Sequence, residues 1–260
     1  MIEVKYTIAE NAPIASGVYR LKLEGDTSAI TAPGQFLDLR LPGFFLRRPI
    51  SICDWDERSV TLLYKVVGGG TDWLSRCTPG QMLDALSGLG NGFDVAACGE
   101  TTLLSGGGIG TAPLFGLAKR LLAAGKTPVA VLGFNTAEDV FYENEFKALG
   151  VQTVIATADG SCGTRGFVTD ALLEQFDTVC ACGPMPATTN DHSKTTQRTR
   201  TQNPGTGRDS AFSPISYGLL FHDRCTPFLR RRRVPRFCRT SRFRRACLPR
   251  RRAQGHSFQL

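Results

Sequence analysis

The first 186 residues contain no histidine; His192, His222 and His256 all lie later. Without an imidazole the patterned part of the chain has no Ser-His triad, no histidine general base and no histidine metal ligand. A hydrolase of the usual kind is therefore not expected. Chemistry that needs no titrating imidazole, such as hydride transfer between bound cofactors, fits better. The nine cysteines are an odd number at irregular spacings, with no C-x-x-C pair. That argues for reduced thiols in a cytoplasmic protein and against a disulfide framework. No run of about 18 uninterrupted apolar residues exists. The longest candidate, 109–124, is interrupted by Lys119 and Arg120, so no membrane span is expected. The opening "MIEVKYTIAE" lacks the basic and apolar regions of a signal peptide and reads as a first strand.

Glutamate is missing from the last 74 residues, and that absence exposes a change of composition. The net charge of +8 averages two unlike parts. Residues 187–260 hold 17 of the 31 Lys+Arg, 16 of them Arg, against 3 of the 23 Asp+Glu, a charge of +14. Residues 1–186 carry −6, with Arg and Lys nearly balanced at 8 and 6. The body is mildly acidic and all the basicity is in the tail.

The body reads as two architectures. Over 1–98, "GVYRLKL" and "QFLDLRL" alternate apolar and polar, "SVTLLYKVV" is a more apolar strand, and "APGQ" and "TPGQ" mark turns. This predicts a small antiparallel β barrel. Over 99–186 the rhythm changes. Strands are expected at "TTLLS", "PVAVLGF", "VQTVIAT" and "TVCAC", and helices at "GTAPLFGLAKRLLAAG", "YENEFKALG" and "FVTDALLEQF". Strand and helix alternate, as in a parallel sheet with crossover helices. The fold class is a β barrel plus α/β.

Four stretches can carry chemistry. "RRPISI" (47–52) sets an arginine fork, able to hold a pyrophosphate, before a serine hydroxyl able to donate and accept at a ring edge. A strand with solvated arginines explains the same residues. "YKVVGGGTDW" lets backbone N–H groups approach a phosphate at the start of a helix near Thr71; a flexible turn explains it equally. "SGGGIGTAP" (105–113) follows a strand and opens a helix, the context of a nucleotide loop, though its spacing is G-x-G-x-G-x-x-P and not G-x-G-x-x-G. Pro113 suits the first helical turn. "CACGPMP" ends the fourth strand, on the edge where open parallel sheets bind ligands. Cys180 and Cys182 are expected on opposite faces, with Cys182 beside the ligand. A small buried hydrophobe is the other reading of either cysteine.

In order, "RRPIS", "GGGT", "LSGLGNGF", "SGGGIGTAPL", "DVFYENEF", "DGSCGTRGFVTD" and "CACGPMP" resemble the ferredoxin–NADP reductase superfamily, and within it the electron-transfer subunits of type B dihydroorotate dehydrogenase. The resemblance runs almost continuously over 1–186. It implies an FAD-binding barrel (1–98) followed by an NAD-binding domain (99–186). Arg48, Pro49, Ile50 and Ser51 would hold the FAD, with Tyr64, Lys65, Val66, Gly70 and Thr71 completing that site. Gly106, Gly108 and Gly110 would face the NAD pyrophosphate, and Cys182 and Gly183 would border the nicotinamide. Ser51 and Cys182 would then flank the two reacting rings, which must approach to about 3–3.5 Å in the cleft between domains. Glu138 and Asp139, after the second strand of the sheet, suit a ribose hydroxyl and predict NAD over NADP. The implied partner is an FMN-containing, dihydroorotate-oxidising subunit in pyrimidine synthesis. A reductase serving a hydrogenase or a ferredoxin-linked complex is the alternative within the superfamily.

The resemblance stops in the tail. The family continues with a helix, a last strand and a C-x₄-C-x₂-C…C cluster holding a 2Fe–2S centre. Residues 187–260 offer only Cys225, Cys238 and Cys247, which supply no such ligand set. Three readings compete: a basic nucleic-acid-binding or membrane-surface arm, a disordered solvated tail, and translation in a wrong frame. The abrupt change inside an expected helix, the loss of Glu and the replacement of Lys by Arg favour the third. A GC-rich gene read out of register turns Gly and Ala codons into Arg and Pro codons.

Overall fold

Tyr6, Ile8, Leu21 and Leu23 occupy alternate positions of two neighbouring strands and are all buried to within 1%. That period of two builds the first half of the molecule. The computed structural model describes residues 1–171 and 176–183. Six strands, β1 (Ile2–Ala15), β2 (Val18–Glu24), β3 (Phe36–Arg40), β4 (Arg48–Trp55), β5 (Ser59–Lys65) and β6 (Met82–Leu89), close into a barrel in the order β1-β2-β5-β4-β3-β6. Closure comes from antiparallel pairing of β1 with β6, Ile2 opposite Ser87 through Thr7 opposite Met82. A short helix, α1 (Gly69–Ser75), lies between β5 and β6.

The continuous apolar character of "SVTLLYK" has a structural reason. Val60, Leu62 and Tyr64 fill the barrel, while Leu63 on the opposite face joins a second core with Val18, Cys53 and α2 (Thr111–Ala123). The strand is buried on both faces because something packs on the barrel's outside.

That second core belongs to a parallel sheet. Its strands are β7 (Thr101–Gly107), β8 (Thr127–Phe134), β9 (Gln152–Thr157), a two-residue β10 (Thr164–Arg165) and β11 (Thr178–Cys182), in the order β10-β9-β8-β7-β11. β8 and β9 are separated by α3 (Glu143–Ala148). Helix α2 buries Ala112, Leu114, Leu117, Ala118 and Leu121, each essentially inaccessible, against one face of the sheet. The barrel's last strand ends at Leu89 and the sheet's first begins at Thr101.

Of the helix expected at "FVTDALLEQF", Val168–Asp170 form a 3-10 turn, and residues 172–175 lie outside the described residues. Gly166 precedes that turn with φ +120, and the Asp170 carboxylate accepts from the Phe167 amide at 2.9 Å, the bond of a capping box at the turn's start. Cys180 and Cys182 do not face opposite ways. Both sit in the core under α2, because residues two apart on a strand share a face. The readings made for residues 187–260 fall outside the described residues.

Candidate functional site

The place expected for a flavin begins at the first residue of β4. The Arg48 guanidinium is fixed from three directions. Its Nη1 donates to the carbonyls of Leu46 (2.6 Å) and Arg47 (3.2 Å), and its carbon lies 5.2 Å from the centre of the Phe44 ring. On the third side stands Gly70, in the first turn of α1. A Cβ there would come within 2.9 Å of the guanidinium carbon, so only glycine lets the two meet. Arg48 and Gly70, 22 positions apart, therefore meet at one cationic corner. Ser51 lies three residues further along β4, half-buried and paired with Phe36 of β3. Ile50 beside it is buried and Pro49 is exposed.

Other residues expected here contribute differently. The Thr71 hydroxyl accepts from the amides of Val67 (3.0 Å) and Gly68 (3.3 Å) and donates to the Gly68 carbonyl, so it shapes the turn before α1. Tyr64 points into the barrel. Its hydroxyl donates to Asn11 Oδ1 at 3.0 Å, its ring stacks on Tyr19, and burial raises its pKa. The Val66 amide is taken by the Gly17 carbonyl, and Lys65 is exposed, with Nζ 3.9 Å from Asp139.

The nucleotide side is the loop between β7 and α2. Its three glycines do different things. A Cβ on Gly106 would meet Thr111 Oγ1 at 3.0 Å and Leu114 at 3.1 Å, so Gly106 seats the loop on its own helix. Gly110 lies against the end of β11, where a Cβ would be 2.8 Å from Gly183 and nearer still to the Cys182 carbonyl. Gly108 has φ +52 and nothing within 4 Å of the place a Cβ would take, so it faces open space. Gly183 in turn packs on Gly107. The structure thus gathers Gly106, Gly108, Gly110, Cys182 and Gly183 at the carboxyl edge of the sheet. Burial alone pushes the Cys182 thiol up to about 11, so it is neutral near pH 7. Two hydroxyls beside this loop, Ser105 Oγ and Thr111 Oγ1, are buried with no partner among the described residues. Unsatisfied polar groups at the amino end of a 13-residue helix fit a phosphate-bearing ligand with its bridging waters.

One connection was not legible beforehand. Helix α2 leans on β4. A Cβ on Gly116 would lie 2.6 Å from the Cys53 carbonyl, so the helix and the strand touch backbone to backbone. Lys119 donates to Asp54 at 2.5 Å, and the Arg120 guanidinium sits 4.1 Å above the Trp55 ring. A glycine inside a strongly helical run was the available signal. Tyr142, from "DVFYENEF", completes the seam. It holds a left-handed backbone (φ 64), packs edge-on to Phe115 at 5.0 Å, and places its hydroxyl by Cys53. One helix therefore carries the glycine loop at its start and grips β4 at its middle. The acids expected at a ribose divide: Asp139 faces Lys65 of the barrel, while Glu138 is exposed.

Residues 104–191 match the family described as oxidoreductase NAD-binding domain. Over 197 residues, 72% of this chain, it is 46% identical to the dihydroorotate dehydrogenase B (NAD(+)) electron transfer subunit of Geobacillus sp. (strain WCH70), covering 76% of that protein. The chain belongs to this family of electron transfer subunits. The namesake from Fusobacterium nucleatum is 41% identical over 195 residues, 69% of this chain and 75% of its own length. Among solved structures, an NADH-dependent reduced ferredoxin–NADP oxidoreductase studied for flavin-based electron bifurcation superposes with a TM-score of 0.64 at 30% identity, covering 75% of this chain and 72% of that one. The Amycolatopsis cytochrome P450 reductase GcoB does so at 0.64 and 25% identity, covering 78% and 67%. The family assignment sets aside the hydrogenase-linked and nucleic-acid-binding alternatives. Among the described residues no helix is long and apolar enough to cross a membrane, and no His, Cys, Asp or Glu cluster could hold a metal ion.

Proposed function

We propose that the chain takes electrons from a dihydroorotate-oxidising, FMN-containing subunit and delivers them through FAD to NAD⁺ in pyrimidine synthesis, in the cytoplasm. The observation that carries this reading is helix α2. It joins the loop at Gly106, Gly108 and Gly110 to the strand that begins Arg48, Pro49, Ile50, Ser51. Two ligands bound at those places would be held in a fixed relation by backbone contact, which is what transfer between two rings requires.

Bound FAD would supply reversible exchange of electrons with a pyridine nucleotide. The chain's own residues supply position. Arg48, fixed by Phe44 and the Leu46 and Arg47 carbonyls, anchors a pyrophosphate. Ser51 offers a hydroxyl at the ring edge and Ile50 an apolar neighbour. Gly108 admits the second pyrophosphate to the start of α2. Cys182 contributes a neutral, apolar wall beside the nicotinamide, with Gly183 leaving room for it. Six free cysteines among the described residues accord with a reducing compartment.

The family's 2Fe–2S ligands are not placed by this reading. We infer that residues 187–260 come from a shifted reading frame, consistent with a match to relatives that covers about the length of the patterned body. Translating the gene in its other two frames after codon 187 tests this. A C-x₄-C-x₂-C pattern in one of them is expected, and its absence from both ends the idea. The cofactor reading is tested on purified protein. It should show a flavin absorbance band that NADH bleaches faster than NADPH. Colourless protein that takes up no added FAD, or a preference for NADPH, would overturn it.

A further inference from the structure

We propose that Phe45 is the platform on which the adenine of the FAD stacks, at the opposite end of the pocket from Ser51. The proposal rests on the flavin reading above and deepens it. A dinucleotide carries its pyrophosphate in the middle, so its two rings leave a phosphate anchor in opposite directions. Arg48 is that anchor: its guanidinium is held by the Leu46 and Arg47 carbonyls, by the Phe44 ring and by the close approach of Gly70. From Arg48, β4 runs toward Ser51, roughly 10 Å away along an extended strand. That direction serves the flavin ring. The other ring must leave over the residues that precede Arg48.

There the chain presents an apolar surface that the fold does not use. Phe45 is 99% exposed, more than any other large apolar side chain among the described residues, and Leu46 next to it is 63% exposed. Val67, on the turn before α1, is 77% exposed, and the two loops adjoin where Phe44 faces Gly69. The consecutive aromatic residues are divided in role. Phe44 is turned inward under the guanidinium, whereas Phe45 is turned out. Arg47, the other cation of the loop, is drawn away by Glu3 at 3.0 Å, so it does not compete for the face of the Phe45 ring. An exposed phenyl ring beside a phosphate anchor, with aliphatic neighbours, has the chemistry of a purine-stacking surface.

The test compares two flavins on the full-length chain. FMN ends at its phosphate and has no adenine. Dissociation constants for FAD and FMN are measured by fluorescence titration of flavin-stripped wild type, Phe45→Ala and Phe45→Trp. Phe45→Ala is expected to weaken FAD about tenfold and FMN by less than about twofold, with Phe45→Trp restoring FAD. An FAD-to-FMN affinity ratio unchanged in Phe45→Ala overturns the proposal, and so does a parallel loss of both flavins. If that unchanged ratio comes with loss of association to the dihydroorotate-oxidising subunit, Phe45 belongs to a protein interface instead. Wild type that binds neither flavin sinks the underlying flavin reading.

Discussion

At Gly108 and Gly110 the same substitution is expected to do different things. Gly110→Ala drives a methyl group into the backbone at Cys182 and Gly183, which cannot move without shifting β11. It should cost about 1–3 kcal/mol of stability, as overpacking does, and appear as a lowered Tm. Gly108→Ala meets nothing in the protein, and its cost is the left-handed backbone, about 1 kcal/mol. Its methyl group would stand where the second pyrophosphate approaches, so its main effect should be a raised KM for NADH. Thermal melts and steady-state kinetics on the two variants check this, and equal effects on both measurements would refute it. The sequence placed both glycines in one loop. It could not divide their roles, because what each glycine touches depends on β11, which arrives about 70 residues later.

At the scale of elements, the contact between α2 and β4 is what would make one site of the two proposed binding places. Gly116→Val would force the helix away from the Cys53 carbonyl, about 1–3 kcal/mol by the same overpacking argument. FAD binding and NADH binding, measured separately, should survive in large part, while the rate of flavin reduction by NADH falls. Unchanged reduction with unchanged stability would show that the seam does not set the relation between the ligands. The elements themselves were readable, since alternation marked the barrel strands and the strand–loop–helix context marked the nucleotide loop. The seam was not. Val18, Cys53 and Leu63 look like ordinary strand positions until α2 is found covering them. Likewise Tyr64, expected at the cofactor, serves the barrel core through Asn11, because the parity of β5 turns it inward.

For the whole molecule, buried thiols and phenols predict a sensitivity to alkali. Burial raises the pKa values of Cys53, Cys180, Cys182, Tyr64 and Tyr142 above their ordinary values. Below about pH 8.5 these groups are neutral in both folded and unfolded chains and contribute no pH dependence. Above it the unfolded chain releases its thiol protons first, so it binds fewer protons than the folded chain and stability falls as pH rises. Denaturant melts between pH 7 and 10.5 should show this decline, steepening above pH 9, and a flat profile would contradict it. The absence of histidine from the patterned body removes imidazole as a cause of any change between pH 5 and 8 there. By itself, the amino-acid order determined the two architectures, the glycine-rich loops and the family, because periodicity and glycine spacing are local properties of a chain. Only the tertiary structure decided which glycine faces open space and which faces the protein, which way Tyr64 and Asp139 turn, and that one helix ties the glycine loop to β4. Those depend on contacts between segments far apart in sequence, and no local pattern encodes what arrives from elsewhere.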